Sequence, residues 1–532
     1  MRNVCISAIV ILVSIAAAPR RGAFDAPVRV AGGLVSGIPG RDPSVTVFKG
    51  VPFAAPPVGD LRWRAPRPVA AWEGVKKADK FSSSCMQTVA DERKPWTYEF
   101  MTHTEVSEDC LYLNVWTAAT SASEKRPVYV YIYGGANTEG SGAVPVYDGE
   151  GLARKGIVLV TVNYRLGVLG FFTHPELTKE SETHASGNYA LLDLVTALRW
   201  VHDHIAAFGG DPGNVTVGGQ SAGASNTHSL TASPLAKGLF HRAIAQSGSS
   251  IAAAAGGGPR TLADQEQLGV KFAEAKGTRS LAGLRAMSWK DLSAPVAPSS
   301  TAPAPTFRFG VVVDGYVLPA SVRDAFASGR QNDVPTLTGA NKHEGGATPH
   351  PDVTADAFQK QARQRYGDLA DEFLALYPAA TDEQARVAQN ESSWDQARVS
   401  MYLWAMNRAR TARTKAFTYF WDHPLPGPDV EKYGAFHTSE VPYVMNALVM
   451  SKRPFTDDDR RIADTLSSYW ANFIKTGDPN GRGLPRWPAV GKDPAVTMEI
   501  GDKNAAIPVA GSAARQAFFE KFFARQQPAG TR

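Results

Sequence analysis

The stretch Phe208-Gly-Gly-Asp-Pro-Gly-Asn-Val-Thr-Val-Gly-Gly-Gln-Ser-Ala-Gly223 decides the fold. Val215-Thr-Val217 reads as a short β-branched strand. Directly after it, Gly219-Gln220-Ser221-Ala222-Gly223 fits the pattern G-x-S-x-G. That pattern places a serine at the strained apex of a sharp strand-to-helix turn. Glycines on either side let the two backbones approach without Cβ clashes. The pattern by itself is common, and a tight turn without catalytic meaning is the bland alternative. Here the strand before it and the helix-compatible sequence after it supply the required context.

Outward from this turn, apolar β-rich runs alternate with helical patterns. Val128–Tyr133, Ile157–Val162, Arg242–Gln246, Pro335–Thr338 and Ala416–Phe420 read as strands. Tyr189–Ile205 carries apolar residues at helical spacing. Continuous apolar strands between helices predict an α/β fold with a central, mostly parallel sheet flanked by helices. Ala/Gly-rich 252–259 and Ala/Pro/Ser-rich 293–305 bracket a helical segment over Leu262–Leu292, and polar helical sequence runs from Val353 to Arg413. Both read as helical insertions over one end of the sheet.

Composition removes other classes. The chain has 532 residues, 43% hydrophobic and 20% charged, enough to bury a large core. A formal charge of +5 is small and not gathered in a run, so no nucleic-acid partner is expected. Three cysteines exclude a disulfide-dense scaffold and any multi-cysteine zinc array, and no His pair at i, i+4 encloses a glutamate. No metal or cofactor is expected. Residues 1–18 read as a signal peptide, with Arg2 before the apolar run Val4–Ala18; its end is open, up to about residue 26. The run is short for a membrane span, so none is expected in the mature form. Export to the periplasm or medium would leave Cys85 and Cys110, which then form a disulfide or remain as two buried thiols.

Several long segments carry a family resemblance. Phe208-Gly-Gly with the Gly219–Gly223 turn, Glu108-Asp-Cys-Leu-Tyr-Leu-Asn-Val115, the opening block Phe48–Trp63, Asn163–Phe171 and Trp470–Asn480 together resemble the type B carboxylesterases. That group includes bacterial para-nitrobenzyl esterases, animal carboxylesterases and cholinesterases. The resemblance runs from about Val28 to Phe523. It implies an α/β-hydrolase fold in one domain over 28–525, although ~150 residues per domain would suggest three or four domains.

The resemblance also assigns roles. A serine needs a base that is itself oriented by an acid, in the chain order Ser, Asp/Glu, His. Ser221 would be the nucleophile. Glu344, in Asn341-Lys-His-Glu-Gly345, matches the family's acid, and His437, in Phe436-His-Thr-Ser-Glu-Val-Pro-Tyr443, its base. The other ten of the eleven histidines lack that pattern; His423 is followed by Pro424, and His202 and His204 end a helix. The N–H of Ala222 would serve the oxyanion hole, joined by Gly135 and Ala136 of Tyr133-Gly-Gly-Ala-Asn137. Asn137 stands where the family usually has an aromatic residue. Gln220 stands where cholinesterases carry Glu, which argues against choline esters. Trp96 does not fit the cholinesterase cation-binding offset. Phe307 and Phe309 resemble an acyl-pocket segment, although a strand would point such a pair to opposite faces. The resemblance also suggests two buried ion pairs, Arg62–Glu108 and Arg165–Asp193, with surface solvation of all four as the alternative.

The expectation is a secreted or periplasmic serine carboxylesterase acting on a small-molecule ester, as a monomer or weak homo-oligomer. A specialised esterase for a bulky or anionic natural ester is the alternative. A non-catalytic binding homologue would be a third reading, but such homologues typically lose the nucleophile.

Overall fold

The computed structural model describes residues 24, 26–248, 260–296, 306–344, 353–491 and 494–526. The expected signal segment 1–18 lies outside the described residues, as do residues 252–259 and most of 293–305.

Among the described residues, eleven strands form one central sheet. In chain order they are β1 (Ile38–Pro39), β2 (Thr46–Pro52), β3 (Tyr112–Thr117), β4 (Arg126–Ile132), β5 (Val158–Val162), β6 (Gly210–Gln220), β7 (Arg242–Gln246), β8 (Thr336–Asn341), β9 (Ala416–Trp421), β10 (Val496–Ile500) and β11 (Ala505–Pro508). Their spatial order is β11-β10-β9-β8-β7-β6-β4-β5-β3-β2-β1. From β5 through β10 every pairing is parallel. The first strands and the last pair antiparallel. The sheet is therefore mixed, with a parallel centre, and its antiparallel margins were not distinguished in the sequence.

The central runs were legible because both faces are covered, which removes polar residues from them. Val128, Val130, Ile132, Val158, Val160 and Val162 are all essentially inaccessible. The helix Tyr189–His204 buries Leu191, Leu194, Leu198 and Val201 along one stripe. Asp457–Thr476 buries Ile462, Leu466, Trp470 and Phe473, and starts with a Thr456–Asp459 capping box. β11 was not anticipated; its exposed edge position imposes no apolar pattern.

The expected insertions are helical. Leu262–Ala275, Leu281–Ala286 and Trp289–Ser293 build a small core with Trp63 and Phe172. Ala355–Tyr366 and Asp382–Ala409 pack with the carboxyl-terminal Ala513–Arg525 in another. No helix among the described residues is long and apolar enough to cross a membrane.

Both anticipated ion pairs form. Arg62 Nε donates to Glu108 Oε2 at 2.8 Å, and its guanidinium also donates to Met287 O at 2.7 Å, tying the amino-terminal segment to the first insertion. Arg165 Nη2 meets Asp193 Oδ1 at 2.7 Å with both side chains at most 4% exposed. Burial pushes the Asp193 carboxyl up, while Arg165 pulls it down. Removing one member would leave an uncompensated buried charge, which costs about 3–5 kcal/mol. Asp193→Ala is therefore expected to lower the urea midpoint by an amount equivalent to about that loss. A shift below about 1 kcal/mol would mean the pair contributes little.

Candidate active site

β6 ends at Gln220 and the helix Ala222–Ala232 starts one residue later. Between them Ser221 takes φ 57° and ψ −120°, a region that L-residues avoid. Its N–H donates to Gln246 O at 2.7 Å, extending the β6–β7 ladder into the turn. The flanking glycines answer a close approach. A Cβ on Gly219 would lie 2.2 Å from Ile132 O, and one on Gly223 2.0 Å from the same atom. The carbonyl end of β4 thus presses directly on the turn.

The segment after β4 curls over Ser221. Gly135, Ala136 and Asn137 have successive positive φ values of 106°, 54° and 61°. The N–H groups of Gly135, Ala136 and Ala222 find no protein acceptor among the described residues. Asn137 is held from both ends. Its carbonyl accepts from Gly167 N at 2.7 Å, and its Oδ1 accepts from Asn226 Nδ2 at 2.8 Å. Asn137 therefore braces the loop.

The other groups come from the far half of the sheet. β8 ends at Asn341, whose N–H donates to Glu344 Oε1 at 2.7 Å. The other oxygen of Glu344 receives the Nδ1 of His437 in a short contact. The loops carrying them are clamped together: His343 N donates to Ala435 O at 3.1 Å, and Ala435 N donates to His343 Nδ1 at 3.0 Å. His437 Nε2 stands 3.1 Å from the Gln220 amide. Burial pulls the His437 imidazole down, but the Glu344 carboxylate overrides it and the net displacement is upward. Ser221, His437 and the Gly135–Ala136 loop line one hollow. The fold thus gathers residues separated by some 300 positions.

Two further residues at this site were not singled out as partners. Trp96 donates its Nε1 to His437 O at 3.1 Å. It lies in the loop closed by the Cys85–Cys110 disulfide, so the sequence's pairing question resolves to a bonded pair. Linear offset hid this residue because a loop's path is not fixed by residue count. Glu440 is the other. It is fully buried; its Oε2 accepts from Asn341 Nδ2 at 2.7 Å and its Oε1 from Gln246 Nε2 at 3.0 Å. Its position three residues after His437, inside a buried turn, was the available signal.

Phe307 and Phe309 are placed elsewhere. Both rings pack on Phe272, with centroids 5.4 Å away, and Phe309 also packs on Phe172. They support the first helical insertion, and neither lines the hollows that meet at Ser221. His423 pairs with Asp459 and Asp502, and His202 with Asp203, leaving His437 as the histidine beside Ser221. No group of three or more His, Cys, Asp or Glu among the described residues is placed to hold a metal ion.

Two hollows open at Ser221. One, of about 250 Å³, is walled by Trp96, Phe100, Met101, Gln220 and His437. The other, of about 680 Å³, is walled by Ala222, Ser225, Ser393, Gln396 and Met401.

Residues 25–519 match the model of the Carboxylesterase family. The chain belongs to that family. It is 37% identical over 473 residues to a fumonisin B1 esterase of Sphingopyxis macrogoltabida, covering 86% of this chain and 83% of the relative. It is 34% identical to a para-nitrobenzyl esterase of Bacillus subtilis, covering 85% and 90%. A human cocaine esterase is 31% identical, covering 86% and 84%. This carboxylesterase-family chain is an α/β-hydrolase and a carboxylic ester hydrolase.

Burial pushes the Glu440 carboxyl up to about 7, with Asn341 opposing and Glu344 adding to the rise. The unfolded chain releases that proton near the ordinary glutamate value of about 4.3. Between the two values the folded esterase binds more protons, so this group's contribution to stability falls as pH rises from about 4.3 to 7 and is constant above. Glu440→Gln is expected to flatten the decline of the urea midpoint across that window. Parallel profiles for both proteins would contradict a displaced Glu440.

Proposed function

We propose that Ser221, His437 and Glu344 form the catalytic triad and that Gly135, Ala136 and Ala222 supply the oxyanion hole. The single observation that carries this reading is a strained serine set between a histidine hydrogen-bonded to a carboxylate and three N–H groups without protein acceptors, those of Gly135 and Ala136 in the hollow shared with His437 and that of Ala222 in the adjoining one.

The chemistry follows from the geometry. With Nδ1–H donated to Glu344, the neutral imidazole presents a lone pair at Nε2. Gln220 meets that nitrogen in the resting arrangement. Proton transfer needs the Ser221 hydroxyl to take its place. Ser221 Oγ then attacks the ester carbonyl as Nε2 accepts its proton. Charge develops on the carbonyl oxygen, where the N–H groups of Gly135, Ala136 and Ala222 stabilise it without reorganising. Collapse expels the alcohol, protonated by His437. Water, deprotonated by the same nitrogen, attacks the acyl-serine and releases the acid. Glu344 stabilises the imidazolium through both steps.

Asn137 and Gln220 support this machinery: the first braces the oxyanion loop and the second borders the base. The triad, the strands and both helical insertions are proposed to act as one domain over 28–525. Export is proposed from the amino-terminal apolar run and the Cys85–Cys110 disulfide, which suits an oxidising compartment. The mass of the protein recovered from a native host tests it by showing whether the first residues have been removed.

Ser221→Ala is expected to lower turnover of short acyl phenyl esters by at least about 10³-fold. An organophosphonate is expected to label the wild type once, at Ser221. Full activity in the variant, or labelling elsewhere, would overturn the assignment. The pH profile carries a second expectation. The base works only when neutral, and His437 is displaced upward, so the acid limb of kcat/KM should lie above the ordinary histidine value of about 6.5.

A further inference from the structure

The two hollows at Ser221 have different jobs if the reading above holds. The leaving alcohol must receive its proton from His437, so it occupies the hollow that His437 lines, with Trp96, Phe100 and Met101. The acyl half then lies on the opposite side, in the wider hollow beside Ala222 and Ser225.

The charges in these hollows are unequal. In the alcohol hollow, Arg93 is matched by Glu139 and lies over the Trp96 ring, 5.5 Å from its centroid. In the acyl hollow the charged residues, among those described, are Glu344 and Arg365. Both oxygens of Glu344 are engaged, by His437 and by Asn341 N–H. Arg365 stands on another wall, at the end of the helix Ala355–Tyr366. It has no carboxylate partner among the described residues, and its guanidinium lies over its neighbour Tyr366 at 5.7 Å. Beside it the helix Asp382–Ala409 turns Ser393, Gln396 and Ser400 toward the same hollow, at spacings that share one helical face.

We propose that Arg365, flanked by Ser393 and Gln396, is a recognition site for a carboxylate carried on the acyl half of the ester. The substrate class is thus a half-ester of a di- or polycarboxylic acid. A guanidinium fork matches a carboxylate in two parallel hydrogen bonds, which Lys or Gln cannot reproduce. The proposal rests on the triad reading, because the orientation of the ester defines which hollow is acyl.

The test compares mono-4-nitrophenyl esters of glutaric, adipic and pimelic acids with 4-nitrophenyl pentanoate, hexanoate and heptanoate, using the mature protein. Each pair has equal acyl length and differs by the terminal carboxylate. In the wild type at least one acidic ester should exceed its neutral match in kcat/KM, and raised ionic strength should shrink that preference. Arg365→Gln should lower kcat/KM for the preferred acidic ester about tenfold or more while leaving the neutral ester within about twofold. Arg365→Lys should restore part of the loss and Arg365→Glu none. Equal effects of Arg365→Gln on both members of every pair, or no effect on either, would overturn the proposal. So would a wild type that prefers the neutral ester throughout. If the wild type turns over neither series and resists organophosphonate, the triad reading itself falls.

Discussion

At the end of β6 the chain holds Ser221 in a backbone conformation that L-residues avoid, with the carbonyl of Ile132 against both flanking glycines. Strain of that kind, of order 1–3 kcal/mol, persists only where the surroundings over-determine it. The surroundings here are two adjacent central strands, β4 and β6, buried where they meet the turn, and the N–H of Ser221 bonded to Gln246 on β7. Three strands therefore fix one serine. The turn also starts a helix, so the Ala222 N–H emerges at the same place. The proposed nucleophile and part of the proposed oxyanion hole follow from a single packing constraint.

The proposed base and its acid depend on the same sheet at longer range. Asn341, the last residue of β8, is the joint. Its backbone N–H takes one oxygen of Glu344, and its side chain donates to Phe436 O and to Glu440. Gln246, whose carbonyl takes the Ser221 N–H, also donates its amide to Glu440. The strand ends of β7 and β8 are thus linked through one buried acid to the turn bearing His437. A second carboxyl can sit near the first because both oxygens of Glu440 are filled by amide donors and burial keeps much of it protonated near neutral pH.

The legibility of the site followed the type of constraint. Ser221, Ala222 and the glycines obey a local rule, since steric demands act over five residues and leave a motif. Glu344 and His437 were reachable through the segments around them, which resemble a family. Trp96 and Glu440 were passed over because their roles come from loops meeting in space. Phe307 and Phe309 went the other way. The segment resembles a pocket wall, yet both rings settle against Phe272, where burial of aromatic area in the first insertion is available. Among strands, β4 to β9 announced themselves through apolar runs, while exposed β11 had no such pattern to show.

The sequence by itself determined the serine turn and the alternation of strands and helices, because each is enforced by residue types over short spans, and its long family-like segments carried the reaction class. Tertiary structure alone decided which histidine nitrogen faces the carboxylate, that Gln220 borders the proposed base, and that the cleft divides into a hollow with aromatic walls and a wider one with an arginine in its wall. Those facts depend on where separate loops and inserted helices come to rest on the sheet. Packing between distant segments sets that placement, and no periodicity within a single segment encodes it.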